Sequence, residues 1–285
     1  MSVMPLSYKV WVAPQVPQSG RGPLPDGSTR MWSPISSTLI YGEQDAVLVD
    51  TPMTISQTDQ LIVWLKGQSR RLTQLYITHG HGDHWFGAYR ILEAFEDVEV
   101  LATAGTAAHM VPQSSPEFRA SFWDAVFPGQ IPVGSLAPTI VGAEGFHLEG
   151  HELLPVELGH TDTDATTGLH VPAADLTISG DAVYNGVHLY LAESGGIGGI
   201  DSWLAALDAI EDLGSMHVVA GHKDPKSSDD PAHIAFTREY LRDARRLLVE
   251  STASREFYEG MLALHPNRIN PGALWGAAIT LLPQE

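Results

Sequence analysis

The sequence sets four side chains able to bind a metal within six residues: His79, His81, Asp83 and His84, in Thr78-His-Gly-His-Gly-Asp-His84. A lone histidine usually packs or faces solvent, but this density is unlike an ordinary turn. Gly80 and Gly82 let the backbone bend tightly enough to aim the cluster inward. His79 and His81 flank a glycine in an extended run and can point to one side, while Asp83 and His84 can converge from the start of a helix. Nitrogen and oxygen ligands of this kind suit zinc, and they are more than one tetrahedral ion takes from a single loop, so two metals are expected. The chain has no cysteine, which removes disulfides and thiolate ligands and leaves metal binding to histidine and carboxylate.

The flanking pattern shows what must hold this loop. Leu72 to Thr78 reads as a buried strand and Trp85 to Phe95 as an amphipathic helix. The cluster therefore falls on a strand-to-helix loop, where α/β sheets place ligands. Three further candidates each follow an apolar run that reads as a strand: His160 after 152–158, Asp181 after 175–179 and His222 after 216–220.

With Gly159-His160-Thr161, Ser179-Gly180-Asp181 and Ala220-Gly221-His222 following in order, the His-x-His-x-Asp-His pattern resembles the metallo-β-lactamase superfamily of hydrolases, over roughly residues 35 to 225. The resemblance implies an α/β fold, a four-layer αβ/βα sandwich with the ligands at one edge of paired sheets. It implies that His79, His81 and His160 hold one metal, that Asp83, His84 and His222 hold the other, and that Asp181 bridges them. The cofactor expected is two zinc ions, with iron or manganese also compatible. The function expected is hydrolysis of a small lactone, ester or thioester by a hydroxide held between the metals, with Asp83 part of the catalytic set. Tyr184, three residues after Asp181, is similar to a tyrosine of acyl-homoserine lactonases that contacts the substrate carbonyl or leaving oxygen; packing is the competing reading. His188 and Lys223 are nearby candidates for contacts to ligands or substrate. Asp50, at a strand end, resembles an aspartate that supports the metal loop, and a helix cap is its alternative. Three other readings stay open: a β-lactam hydrolase, an iron-dependent oxidoreductase on the same ligands, and a non-catalytic binding module.

The 285 residues are long enough for one large α/β domain, taken as 1–285 with C-terminal helices from about 229. Hydrophobic content of 44% and charged content of 18% fit a soluble globular chain, with no apolar run long enough for a membrane. Met1 to Val10 lacks the pattern of a signal peptide, so a cytoplasmic protein is expected. A net charge of −18 would repel polyanions, which argues against nucleic acid and leaves a small-molecule substrate; the sequence leaves the oligomeric state open. Gly-x-Ser-x-Gly is absent, and Gly195 to Gly199 carries no phosphate-loop Lys-Ser/Thr, reading instead as a flexible loop before a helix at 200–213.

Elsewhere the pattern predicts an edge strand at 6–12, a hairpin of 37–41 and 46–50, and a helix near 56–66. A strand at 98–102, helices at 104–110 and 115–127, and strands from about 138 to 158 should follow. The last helices are expected at 231–249 and 270–282. His147, His151 and His170 read as turn or strand residues rather than ligands. The polar loop 161–167 offers carboxylates and hydroxyls to ring nitrogens of the ligands. Ala13 to Pro34, with Pro14, Pro17, Pro23 and Pro25, has neither helix nor strand period. A loop that long is either functional or disordered, so Met31 and Trp32 are expected to lie over the metal cleft, with a self-packed surface loop as the alternative.

Overall fold

The computed structural model describes residues 5–284; Met1 to Met4, part of the segment read for a leader, lie outside the described residues. One sheet runs in the order β1 (Ser7–Val12), β2 (Ser36–Tyr41), β3 (Asp45–Val49), β4 (Arg71–Tyr76), β5 (Glu99–Ala102) and β6 (Thr139–Ile140). β1, β2 and β3 pair antiparallel as a meander, and β3 to β6 run parallel. The parallel steps need crossovers. α1 (Ile55–Lys66) and α2 (Ala88–Ala94) supply two of them, and α3 (Ala104–Gln113), α4 (Pro116–Phe118) and α5 (Asp124–Val126) lie in the third.

The second sheet has the order β12 (His217–Val219), β10 (Leu176–Ile178), β9 (Thr166–Val171), β8 (His151–Gly159) and β7 (Phe146–Leu148). A short parallel pair, β11 (Tyr184–Asn185) with β13 (His222–Lys223), stands beside it. α6 (Gly196–Glu211), α7 (Ala232–Glu250), α8 (Ser254–Leu264) and α9 (Pro271–Leu281) complete the chain.

Strand alternation makes four layers from these parts. In β3, Val47 and Val49 face the second sheet, where they join Tyr76, Leu169, Val171 and Ile178, whereas Ala46 and Leu48 meet Leu61 and Leu65 of α1. Across the molecule, Val218 faces Trp203 of α6 and Leu241 of α7 while its neighbour Val219 enters the space between the sheets. The result is the four-layer αβ/βα sandwich expected.

Two local expectations are corrected, and one helix is added. The stretch 115–127 is not one helix: Ser115 caps a start at Pro116, and Arg119–Trp123 widens into a π turn that delivers Phe122 and Trp123 to a cleft. The glycine run is not a flexible loop but the entry of α6. Gly195 takes φ 72°, and a Cβ on Gly199 would stand 1.5 Å from the Ser194 carbonyl oxygen and 2.9 Å from His160 Nε2, so glycine is what lets the helix start there. The helix α8 was unforeseen; its apolar stripe is short, with Phe257, Tyr258 and Met261 buried.

Candidate metal centre

β3 and β4 lie side by side and parallel, so their C-terminal ends meet. Asp50 follows one and Thr78 the other. Asp50 Oδ1 accepts the Thr78 amide at 2.9 Å, and Oδ2 accepts the Thr78 hydroxyl at 2.7 Å and lies 3.0 Å from His84 Nδ1. Those bonds hold Asp50 in a left-handed conformation, φ 57°, that an aspartate rarely takes without support. They also fix His84 so that Nε2 turns inward. The same logic recurs at His79, whose Nδ1 lies 3.0 Å from Thr78 Oγ1, and at His222, whose Nδ1 donates to the Pro34 carbonyl at 3.0 Å. Asp50 is thus the supporting aspartate expected, and the cap of α1 is Thr54 instead.

The freed atoms converge on Asp181. Its Oδ1 lies 3.3 Å from His84 Nε2, and its Oδ2 lies 3.2 Å from His222 Nε2 and 3.9 Å from His79 Nε2. Room for this carboxylate depends on Gly221, where a Cβ would stand 2.1 Å from Asp181 Oδ1. Donor atoms of His79, His81 and Asp162 fall within 4.8 Å of one another, and so do those of Asp83, His84 and His222. His79 Nε2, His84 Nε2 and His160 Nε2 are buried without a well-aligned hydrogen-bond partner. Buried lone pairs of this kind are costly unless something cationic meets them, and their donor set suits zinc or a similar divalent ion.

Burial disfavours a charged His81, but Asp162 and Glu193 outweigh it and hold the imidazole well above its ordinary pKa. Burial likewise opposes charge on His84, and Asp181 and Asp83 overcome it. Burial would raise Asp181, yet His222 and His84 hold it well below the usual carboxylate range. His79 goes the other way from His81 and His84: burial, then the neighbouring His84, pulls its imidazole well below the ordinary value.

Above it lies a cleft of about 700 Å³, its open mouth included. His81, Asp83, Asp162, Asp181 and His222 form its floor, and Phe118, Phe122 and Trp123 one wall. Segment 13–34 forms another. It is pinned by Ala13 N to Ile35 O at 2.8 Å, Trp32 N to Val16 O at 2.7 Å and Gln57 Nε2 to Pro14 O at 2.7 Å. Trp32 packs against Phe122, Trp123 and Phe127 with ring centroids 5.4 to 6.2 Å away, and its Nε1 donates to Asp83 Oδ2 at 2.8 Å.

The sequence model of the metallo-beta-lactamase superfamily matches residues 30–222, which contain every residue of this cluster. The chain belongs to that superfamily. Solved structures agree on the fold. A metallo-beta-lactamase family protein from Thermus thermophilus has a TM-score of 0.65 at 17% identity, covering 95% of this chain and 91% of its own. A metallo-beta-lactamase from Pontibacter korlensis has 0.59 at 19% identity, covering 85% and 99%. One from Pseudomonas aeruginosa, in a mono-zinc form, has 0.57 at 16% identity, covering 86% and 98%. No curated protein matches the sequence.

Within this superfamily member, the structure gathers His79, His81, Asp83, His84, Asp181 and His222, all residues singled out from the sequence. His160 is in none of the three-residue groups, although its Nε2 is likewise buried without a partner. Its Nδ1 lies 2.5 Å from Asp164 Oδ1, and its ring leans on the glycine entry of α6, while Asp162 takes the place beside His81, Oδ2 to Nδ1 at 3.0 Å. Tyr184 does not line the cleft; it is fully buried and donates to Asp181 Oδ2 at 2.9 Å. His188 faces Tyr240 Oη at 3.1 Å and Lys223 pairs with Asp229, and neither lines the cleft. Met31 also misses the cleft, its backbone bridging to Pro17. His170 sits with Thr177 and Ser215. Sequence reasoning missed Arg30, Tyr190 and Glu193 in the cleft; none has a local motif. No helix of the described residues is long and apolar enough to cross a membrane.

Proposed function

We propose that the chain is a metal-dependent hydrolase of a carboxylic ester-type bond in a small lactone, ester or thioester, working with two divalent cations, zinc first among them. The observation that carries this is the pair of adjoining ligand groups joined through Asp181 on the floor of an apolar-walled cleft. His79, His81 and Asp162 would hold one cation, with His160 the further candidate; Asp83, His84 and His222 would hold the other, with Asp181 between. Bound there, such cations supply a water acidified to a pKa of about 7 and an electrophile for a carbonyl.

The chain's own groups do the rest. Asp50, Thr78 and the Pro34 carbonyl keep the imidazole Nε2 atoms turned inward. Tyr184 holds Asp181 in one orientation through Oδ2 and so acts by positioning. Asp83, fixed by Trp32 and lining the cleft, is the carboxylate placed to take a proton from the attacking water and return it to the leaving oxygen or sulfur. Trp32 and the aromatic wall exclude water from the reacting carbonyl.

The test combines elemental analysis of protein purified without chelator with a hydrolysis screen over lactones, thioesters, aryl esters, β-lactams and phosphodiesters. About two metals per chain and turnover of an ester-type bond are expected. Saturation at one metal after zinc is added back would remove the dinuclear reading. Turnover confined to β-lactams or phosphodiesters would remove the substrate class.

A further inference from the structure

Part of the cleft lining is cationic, and nothing in the reaction above uses it. Arg30 is 9% exposed, and its Nε donates to the Gly272 carbonyl at 3.2 Å. Its side chain lies along α9 in a groove made by two glycines one turn apart: a Cβ on Gly272 would stand 3.1 Å from Arg30 Cγ, and one on Gly276 would stand 2.2 Å from Nη2. The groove seats a guanidinium, and alanine at 276 would push its end aside. Among the described residues no carboxylate lies within 4.0 Å of Arg30. A buried cation without an anion is unusual, and burial, then the charge of Arg21, pulls Arg30 below the ordinary guanidinium range.

Two more positive features point into the same space. Arg21 lines the rim with its guanidinium 4.5 Å from the Phe122 ring centroid, and among the described residues no acid pairs with it either. The first turn of α9 enters the lining through Gly272 and Ala273, so the positive end of an 11-residue helix faces the cleft. A buried guanidinium, a second one at the rim and a helix N-terminus form an anion site.

We propose that Arg30, supported by Arg21 and the first turn of α9, binds a carboxylate that the substrate carries apart from the bond cleaved. The word substrate rests on the hydrolase reading above, whereas the anion site stands on its own geometry. With Phe118, Phe122 and Trp123 as the intervening wall, the ligand class is an acidic acyl compound with an apolar body, such as the half-ester of a dicarboxylic acid.

The experiment uses zinc-loaded protein and two probes of matched length, mono-4-nitrophenyl adipate and 4-nitrophenyl hexanoate. The readout is the ratio of their kcat/KM values. Arg30→Gln should lower the acid-to-neutral ratio by at least about tenfold, Arg30→Lys should recover part of it, and Arg21→Gln should lower it by less. Calorimetry with 3-phenylpropionate, which cannot turn over, should show the same order of weakening at equal metal content. If neither ester is hydrolysed, the hydrolase reading fails and calorimetry alone decides the anion site. An unchanged ratio, or equal binding of 3-phenylpropionate to wild type and Arg30→Gln, overturns the proposal, because a carboxylate held by the metals alone would be indifferent to Arg30. Should Arg30→Gln fail to fold, Arg30→Lys and the exposed Arg21→Gln decide the question by the same two readouts.

Discussion

Trp32 joins the wall of the cleft to its floor, and Trp32→Phe separates those two roles. Phenylalanine keeps an aromatic ring against Phe122, Trp123 and Phe127 but deletes the N–H that reaches Asp83 Oδ2 at 2.8 Å. A hydrogen bond to a charged group contributes about 1.5–3 kcal/mol, and loss of such support beneath a metal ligand typically costs roughly 10–100-fold in affinity or activity. The substitution should therefore weaken one metal by about that factor, measured by competition with a chromogenic chelator, and leave the other in place. It should lower kcat/KM at limiting zinc and recover when zinc is in excess. Trp32→Ala removes the ring too, so a residual loss in kcat/KM should persist at saturating zinc. If Trp32→Phe matches wild type in both metal affinity and kcat/KM, the Asp83 contact contributes nothing and Trp32 is only a wall. If Trp32→Ala is fully rescued by zinc, the wall has no contact with substrate.

Three other expectations follow from the same geometry. Asp181→Asn should reduce metal content and activity far more than His147→Ala or His170→Ala, since only Asp181 lies within 3.3 Å of two inward imidazole nitrogens; equal losses would mean the ligands are misassigned. Asp162→Asn should weaken the metal at His79 and His81 more than His160→Ala does, because Asp162 is the residue beside His81, and the opposite order in zinc titrations would make His160 the third ligand. His188 is buried and its pKa is pushed down to about 3, so between about pH 6.5 and 3 the unfolded chain binds a proton that the folded chain does not. Stability should then fall as pH drops through that window, by up to about 3 kcal/mol from pH 7 to 4. Denaturant unfolding of His188→Gln should show a correspondingly flatter pH dependence, and an unchanged slope would refute the assignment.

What the sequence disclosed depended on distance along the chain. His79 to His84 lie in one loop, so their spacing alone reports a site, and Asp181 and His222 each close a strand whose apolar run is visible. Fold layers were legible for the same reason, because alternation in β3 assigns Val47 and Leu48 to opposite faces. His160 and Asp162 are both metal-capable and two residues apart, and only the packing of His160 on the entry of α6 separates their positions. For Tyr184 the spacing from Asp181 is local and could be read, whereas its burial beside Trp203, with its hydroxyl spent on Asp181 beneath the cleft lining, is tertiary and could not. Arg30 was invisible because its partner is 242 residues away. A buried arginine announces itself only once the groove that holds it exists.

Chemistry and selectivity are thus carried by different parts of the chain. The metal cluster lies within the superfamily match, on strand ends and loops fixed by the paired sheets. The cationic wall comes from Arg21, Arg30 and the first turn of α9, at the margin of that match or beyond it. These two chain ends hold one another, through Arg30 on Gly272 and through the Asn270 side chain against Ser33, and they hold the metal loop through Trp32 on Asp83. Function is set by such sites rather than by the fold that carries them, and here the site's walls can change without disturbing the sheets. The net charge of −18 sharpens the point. Long-range repulsion of an anionic substrate is damped beyond a Debye length of about 8 Å at physiological salt, so selection for an anion has to occur at contact. A buried guanidinium on a glycine groove, shielded from that salt, is the device that does so.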